Sequence, residues 1–229
     1  MDDGTGAFPY RTSITGTSPR RTVVPEVLLA TGNPHKLEEV RAVLEPIGWT
    51  VLGLDDLDGP IPPEPVEDAD TFEGNARIKA SEYARATGRM ALADDSGLEV
   101  DALDGAPGVF SARFAGVDGD RATRDRANND LLVERLAGTP QHERTARFVC
   151  AMCLADPEGG ILAETRGTFD GTIVLEPRGT NGFGYDPHLL LPEEGRTSAE
   201  LSPEEKNARS HRGAATRAMA GAMTRMEIA

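Results

Sequence analysis

The first half of the chain alternates short apolar runs with segments of helical periodicity. The run "EVLLAT" at residues 26–31 predicts a buried strand. The following "LEEVRAVL" repeats apolar residues at three- and four-residue spacing, which predicts one buried helix face. Asn33 is a residue type that caps helices, and Pro34 suits the first helical position. A strand that turns directly into a helix is therefore predicted here.

The same alternation continues through the middle of the chain. "DTFE" begins a predicted helix over about 70–87, and Gly88 ends it. The apolar run 90–93 predicts a buried strand that stops at two adjacent aspartates, Asp94 and Asp95, and a Gly-rich loop over 96–119 follows. A polar helix is predicted over about 121–137.

The second half of the chain is predicted to be rich in strands. "RFVCAMCLA" and "ILAETRGTFDGTIVL" are separated by "DPEGG", which is a hairpin signal, and a helix starting after Ser202 closes the chain. Crossover helices and hairpins occur together, so the predicted class is α/β with a mixed central sheet.

Composition and charge narrow the possible partners. The chain has 229 residues, with 24 basic and 38 acidic side chains and a net charge of −14. So acidic a surface repels phosphate backbones, which argues against a nucleic-acid partner but leaves room for a small polyphosphate held by local cations. We find no apolar segment long enough for a membrane span and no signal-peptide core in residues 1–21. We expect no membrane partner and a cytoplasmic location.

Two cysteines form the sequence "CAMC" and could suggest a redox or zinc site. Cys150 and Cys153 lie within a predicted strand, and no second pair completes a zinc site. Residues three apart on a strand face opposite sides, so the two thiols are expected to diverge. Neither a disulfide nor a metal role is predicted for them.

Three segments carry candidate binding chemistry. "TGNPHK" lies between a strand and a helix start, where backbone N–H groups and the positive helix end can face an anion. Lys36 adds a charge there, although an ordinary capped turn explains the same pattern equally well. Lys79 on the second helix is more often a solvated residue than a ligand when taken alone.

The loop "GTNGFGYDP" places two aromatic residues among turn formers. Gly182 and Gly184 would let a flat ring approach the backbone beside Phe183 and Tyr185, which suits stacking on a nucleobase. An aromatic loop that packs on the core is an equally good interpretation of this segment alone.

"EEKNARSHRG" concentrates basic residues in an acidic chain. Lys206 and His211 are five residues apart, so on one unbroken helix they would not share a face. If both contact one ligand, the helix must break near Ser210, which is a competent cap for a new helix. Taken alone, this cluster is better interpreted as a solvated basic face. Together with the carboxylates and the other segments, it completes the parts of a metal-assisted nucleotide polyphosphate site.

Five motifs, in order, resemble one known family. "LLATGNPHKLEEV", "FEGNARIKA", "ALADDSGLEVDALDGAPGVFSARFAG", "GTNGFGYDP" and "LSPEEKNARSHRGAA" are similar to motifs of the inosine/xanthosine triphosphate pyrophosphatase family. The resemblance runs from about Val27 to the C-terminus. We therefore expect residues 1–24 to be a disordered extension and residues 25–229 to form one catalytic domain of two lobes.

The resemblance implies a fold, a reaction and an assembly. The fold is the elongated two-lobed Maf/ITPase type, with a cleft between the lobes, and the protein is expected to be a homodimer. The reaction is Mg²⁺-dependent hydrolysis of the deaminated purine nucleotides ITP, dITP and XTP to the monophosphate and pyrophosphate. Such enzymes clear non-standard purines from the nucleotide pool.

The resemblance also assigns roles to residues. Asp95 is the expected proton acceptor and Mg²⁺ ligand, and Ser96 and Lys79 are expected to contact the substrate. The expected triphosphate site consists of Thr31, Gly32, Asn33, Pro34, His35 and Lys36. The expected base and sugar site consists of Phe183, Gly184, Tyr185 and Asp186. Completing the nucleotide site are Lys206, His211 and Arg212.

One position departs from the family pattern. Many relatives carry a glutamate five residues before the lysine that corresponds to Lys79, where this chain has Gly74. We name the neighbouring Glu73 as the candidate second metal ligand, although adjacent helical residues point about 100° apart. Two alternatives stay open: a Maf-like pyrophosphatase acting on pyrimidine nucleotides, and a nucleotide-binding module without catalysis.

Overall fold

The computed structural model describes residues 24–226. The predicted N-terminal extension lies outside these residues except for Val24. Across the described part of the chain, no helix combines the length and the apolar character that crossing a membrane requires.

A seven-stranded mixed sheet forms the centre of the described structure, which confirms the predicted class. The spatial order is β2-β1-β3-β4-β5-β6-β7. The strands are β1 Glu26–Leu29, β2 Thr50–Leu52, β3 Ala91–Val100, β4 Thr145–Ala155, β5 Ile161–Ile173, β6 Leu189–Leu191 and β7 Arg196–Thr197. The contacts of β1 with β2 and β3 are parallel, whereas β3 to β7 pair antiparallel.

The first two helices begin and end close to the predicted positions. Helix α1 is Pro34–Leu44, and the Asn33 side chain caps it by accepting a hydrogen bond from the His35 N–H. Helix α2 is Phe72–Thr87, where Thr71 caps the start and Gly88 ends the helix at a φ of 63°. A left-handed φ costs glycine little, so the sequence places the helix end there.

The strand that carries the two aspartates is longer than predicted. We expected it to end at residue 93 and a loop to follow, but β3 continues to Val100 and pairs with β4 along its whole length. The polar side chains are tolerated because alternate residues of β3 face opposite sides of the sheet. Asp94 faces α1 and Asp95 faces α2, so these adjacent carboxylates lie in different surroundings.

The hydrophobic core divides between the two faces of the sheet. Helix α2 covers one face, where Cys153 is buried, and α1 covers the other, where Cys150 is buried. The two thiols therefore diverge as predicted. Further along that second face, helix α3, Arg121–Leu136, buries Leu132 and Leu136 in a third cluster.

The C-terminal helix breaks at Ser210, which is where Lys206 and His211 need a break if both are to contact one ligand. Helix α4 is Pro203–Arg209 and helix α5 is His211–Thr224. Ser210 lies between them in an extended conformation, and its hydroxyl accepts a hydrogen bond from the Gly213 N–H. The break brings Lys206 and His211 to one cavity.

Candidate active site

The segment between β1 and α1 borders a cavity of about 910 Å³. Because β1 pairs with β3 only as far as Leu92, side chains from both faces of the sheet meet beyond its end. Lys36 from α1 and Lys79 from α2 both line this cavity. The other predicted residues that line it are Thr31, Gly32, Asn33 and Pro34.

Asp94 holds the cations around it. Its side chain is buried, and both carboxylate oxygens accept hydrogen bonds from Lys36 Nζ, at 3.0 and 2.8 Å. Arg212 Nε lies 3.4 Å from the same carboxylate. Burial alone would raise the pKa of Asp94, but Lys36 and Arg212 hold that pKa well below its usual range. Asp94 is therefore an anion that fixes two basic side chains.

Asp95 has weaker partners than Asp94. Its Oδ1 accepts a hydrogen bond from the Ser96 N–H at 3.0 Å, and its Oδ2 accepts one from Asn75 Nδ2 at 3.1 Å. Burial raises the pKa of Asp95, and the nearby Lys79 ammonium opposes this shift. A half-buried carboxylate held by neutral donors and with a raised pKa suits a proton acceptor.

Glu67 is a site residue that the sequence analysis missed. Its Oε1 lies 3.1 Å from Lys79 Nζ, and its charge contributes to the raised pKa of Asp95. Burial alone would lower the pKa of Lys79, but Asp94, Asp95 and Glu67 together raise it. Glu67 belongs to the acidic, Pro-rich segment "PPEPVED", and that acidity next to the α2 start was the signal available in the sequence.

Two predicted site residues, Glu73 and His35, do not line the cavity beside Asp94. Glu73 Oε1 accepts a hydrogen bond from Arg166 at 2.6 Å, and Arg166 also contacts Glu99. The His35 side chain is largely exposed near Glu38 and lines a neighbouring cavity instead of the one beside Asp94. The described geometry therefore engages Glu73 in an ion pair.

A second cavity, of about 320 Å³, adjoins the first and shares Asn33 and Lys36 with it. This volume lies at the lower end of the range typical of small-molecule sites. The predicted residues that line it are Asn33, Lys36, Ser96, Phe183, Gly184, Tyr185, Asp186, Lys206, His211 and Arg212. Ten of the predicted residues thus meet at one cavity.

Aromatic rings form part of the wall of this second cavity. Phe148 of β4 stacks on the His211 ring with centroids 5.2 Å apart, and Phe183 is half-exposed beneath the Arg121 guanidinium at 4.0 Å. Phe148 was missed because it occupies an ordinary apolar position of a strand. Burial, with the Arg212 and Lys206 charges, lowers the pKa of His211 well below its usual value. The imidazole is therefore neutral at pH 7.

Asp186 is buried and accepts hydrogen bonds from three neighbouring groups. Its carboxylate accepts hydrogen bonds from Lys206 Nζ, from the Ser198 hydroxyl at 2.8 Å and from the Phe183 N–H at 2.8 Å. Arg212 is similarly engaged, by Glu39 at 2.9 Å and Ser96 Oγ at 3.3 Å in addition to Asp94. Lys206 and Arg212 are therefore both held by carboxylates of the chain itself.

The donor set near Asp95 fits Mg²⁺. Mg²⁺ prefers carboxylate oxygens and is commonly held by one or two carboxylates together with substrate phosphates and water. Two carboxylates act on Lys79 here: Glu67 lies 3.1 Å from its Nζ, and the charge of Asp95 helps to raise its pKa. Within residues 24–226 no cluster of three or more His, Cys, Asp or Glu side chains is found that could hold a metal ion.

A lysine-lined cavity at a helix start, an aromatic cavity and a half-buried carboxylate are the features of an α/β protein of the nucleotide-polyphosphate-binding class. The chain belongs to the Ham1 family, whose model matches residues 27–222. A dITP/XTP pyrophosphatase of Exiguobacterium sibiricum is 52% identical over 199 residues, which cover 87% of this chain and 97% of the relative.

Solved structures agree with the sequence comparison. A HAM1 protein from Coxiella burnetii matches with a TM-score of 0.79 and 39% identity, covering 88% of this chain and all of the other. A nucleoside-triphosphatase/dITP/XTP pyrophosphatase from Mycobacterium abscessus matches with a TM-score of 0.69 and 45% identity over the same share of this chain. The fold and the family predicted from the sequence motifs are confirmed.

Proposed function

We propose that this protein hydrolyses dITP, ITP and XTP to the nucleoside monophosphate and pyrophosphate, removing non-standard purines from the nucleotide pool. The observation that carries the proposal is the junction of two cavities at Asn33 and Lys36. One cavity offers cations to a triphosphate, the other offers rings to a base, and Asp95 lies on the strand that borders both. The family membership and the names of the relatives favour purines over the pyrimidine alternative.

The chain's own residues account for the chemistry. Asn75 and the Ser96 N–H orient the Asp95 carboxylate, which accepts a proton from the attacking water. Lys36 and Lys79 neutralise charge on the phosphates, so pyrophosphate leaves as a stabilised anion. Bound Mg²⁺, held by Asp95 and Glu67, would supply further charge neutralisation and acidify water. An intact Asp95 beside Lys79 argues against the non-catalytic alternative.

Product analysis tests this function. With ITP and Mg²⁺, we expect one pyrophosphate and one inosine monophosphate per turnover. Inorganic pyrophosphatase added afterwards should convert that pyrophosphate to two orthophosphates, which serves as the internal control. Direct release of orthophosphate with inosine diphosphate as the partner product would contradict the proposal and indicate a different phosphatase.

The metal site is part of the same proposal. We expect chelation to abolish activity and Mg²⁺ to restore it. Glu67→Gln should raise the Mg²⁺ concentration for half-maximal activity by at least about tenfold, while the matched variant Glu73→Gln should leave it close to that of the unmodified protein. The opposite order of the two variants would assign the second carboxylate to Glu73.

The assembly and location complete the proposal. We propose a homodimer of two-lobed domains spanning residues 25–229, acting on the cytoplasmic nucleotide pool. Sedimentation velocity at micromolar concentration should give twice the mass of one chain. A single species with the mass of one chain would exclude the dimer without affecting the proposed reaction.

A further inference from the structure

Helix α3 approaches the base cavity through a polar stripe. Its residues at three- and four-residue spacing run from Asp125 through Asn128 and Asn129 to the buried Leu132 and Leu136. Such residues share one helix face. The inward face of α3 thus changes from apolar to polar at the point where it reaches the cavity.

Two residues of this stripe hold Gly184. Asp125 Oδ2 accepts a hydrogen bond from the Gly184 N–H at 3.0 Å, and Asn129 Nδ2 donates one to the Gly184 carbonyl at 3.0 Å. Gly184 has a φ of 60°, so its left-handed backbone is held on both sides. We call Asp125 and Asn129 the Gly184 clamp.

The clamp determines which backbone donors the loop can offer. The Phe183 N–H is already bound to Asp186, and the Gly184 N–H is bound to Asp125. Among the described residues the Tyr185 N–H has no hydrogen-bond partner. It shares a planar trans peptide with the Gly184 carbonyl, so the Asn129 bond also fixes the direction of this N–H.

Neighbouring contacts tie both walls of the cavity to α3. Asn128 donates to the Ser111 carbonyl at 3.2 Å and accepts from the Ala115 N–H at 2.8 Å. The Tyr185 hydroxyl donates to the same Ser111 carbonyl at 2.8 Å. The loop of the Gly184 clamp and the segment that contains Ser111 are thus positioned together.

We propose that the Gly184 clamp consists of positioning residues for purine selection, which fix the Tyr185 N–H as a donor to the C6 carbonyl of the base. This inference rests on the proposed function. A fixed N–H donates a hydrogen bond to the C6 carbonyl of hypoxanthine or xanthine, whereas it meets another donor in the amino group of adenine. Selectivity for the base is therefore determined partly from α3, outside the motifs that carry the family resemblance.

The test measures kcat and KM for ITP and ATP in clamp variants. Asp125→Ala and Asn129→Leu should each raise the KM for ITP and lower the ITP/ATP ratio of kcat/KM by about three- to tenfold, with little change in kcat. Asp125→Asn keeps an acceptor oxygen and should retain most of the selectivity. Asp130→Ala, at an exposed position of the same helix, is the matched control.

Amide hydrogen exchange adds a readout that does not depend on catalysis. Gly184 and Tyr185 should exchange faster in Asp125→Ala and Asn129→Leu than in Asp130→Ala. Folded clamp variants with unchanged KM and ITP/ATP ratio would overturn the inference. A wild-type protein that does not distinguish ITP from ATP would instead overturn the proposed function itself.

Discussion

Asp94 and Asp95 are adjacent in β3, and their surroundings assign different tasks to them. Asp94 is buried among Lys36 and Arg212, which occupy its oxygens. Among the described residues, Asp95 accepts hydrogen bonds from the Asn75 amide and the Ser96 backbone N–H, and burial raises its pKa. One carboxylate therefore organises the cations of the site, and the other is available for proton transfer.

Asp95→Asn tests the second of these tasks. Asparagine has a similar shape but cannot accept the proton, so we expect turnover of ITP to fall by at least about 10²–10⁴. The free energy of unfolding should change little, because within residues 24–226 the hydrogen-bond partners of Asp95 are the uncharged Asn75 amide and the Ser96 N–H. The measurements are steady-state kinetics and chemical denaturation of the same preparation.

Asp94→Asn is the informative comparison at the neighbouring position. It leaves two cations near an uncharged amide, one of them the buried Arg212, and removing one partner of a buried ion pair costs about 3–5 kcal/mol of unfolding free energy. Wild-type turnover by a folded Asp95→Asn protein would contradict the assignment of the proton acceptor.

His211 predicts a pH dependence of stability. Burial holds its pKa well below 6.5 in the folded protein, whereas the unfolded chain has the ordinary value. Below pH 6.5 the unfolded state binds a proton that the folded state does not. The free energy of unfolding therefore decreases by up to about 1.4 kcal/mol for each unit by which the pH is lowered. Denaturation of the wild type and His211→Gln between pH 5 and 7 should show a shallower slope in the variant. Equal slopes would show that His211 is not the linked group.

The break between α4 and α5 is the element on which the basic cluster depends. His211 and Arg212 are the first residues of α5, and Ser210 caps that helix through its hydroxyl. The cap fixes where α5 begins and therefore where both side chains enter the cavity.

Ser210→Ala should remove this cap. We expect the unfolding free energy to fall by about 0.5–2 kcal/mol and the KM for ITP to rise, since His211 and Arg212 lose a fixed starting point. Ser210→Asn, which can still cap the helix, should restore most of both quantities. A Ser210→Ala protein with unchanged stability and KM would show that packing alone sets the break.

The elements also show what could be predicted from the sequence. The cap at Asn33 is a local signal, and the start of α1 was predicted correctly because a cap acts within its own turn. Ser210 was recognised as a competent cap, but a helix start there was predicted only if Lys206 and His211 contact one ligand. The predicted length of β3 was wrong. The local sequence pattern indicates a strand end at Asp94 and Asp95, but pairing with the distant β4 continues the strand through both residues. Glu67 was missed for a similar reason, since its proximity to Lys79 exists only in three dimensions.

At the scale of the molecule, a net charge of −14 surrounds a cleft in which cations are concentrated. The cations come from three parts of the chain: Lys36 from α1, Lys79 from α2, and Lys206 and Arg212 from the two C-terminal helices. Four carboxylates hold them: Asp94 contacts Lys36, Glu67 contacts Lys79, Asp186 contacts Lys206, and Asp94 with Glu39 contacts Arg212. The site is thus prepared for an anionic ligand although the chain as a whole repels one. Such preorganisation lowers the cost of ordering side chains on binding.

The most direct test of the account is the ratio of kcat/KM for ITP to that for ATP, measured with Mg²⁺ under identical conditions. The two bases differ at C6, where hypoxanthine presents a carbonyl acceptor and adenine an amino donor. Sites that rely on such hydrogen bonds reject the wrong partner by up to about 10⁴–10⁵. We expect ITP, with dITP and XTP beside it, to be preferred over ATP by orders of magnitude, with pyrophosphate as the product. Equal cleavage of ATP and ITP would contradict the account, even if Asp95 proves essential.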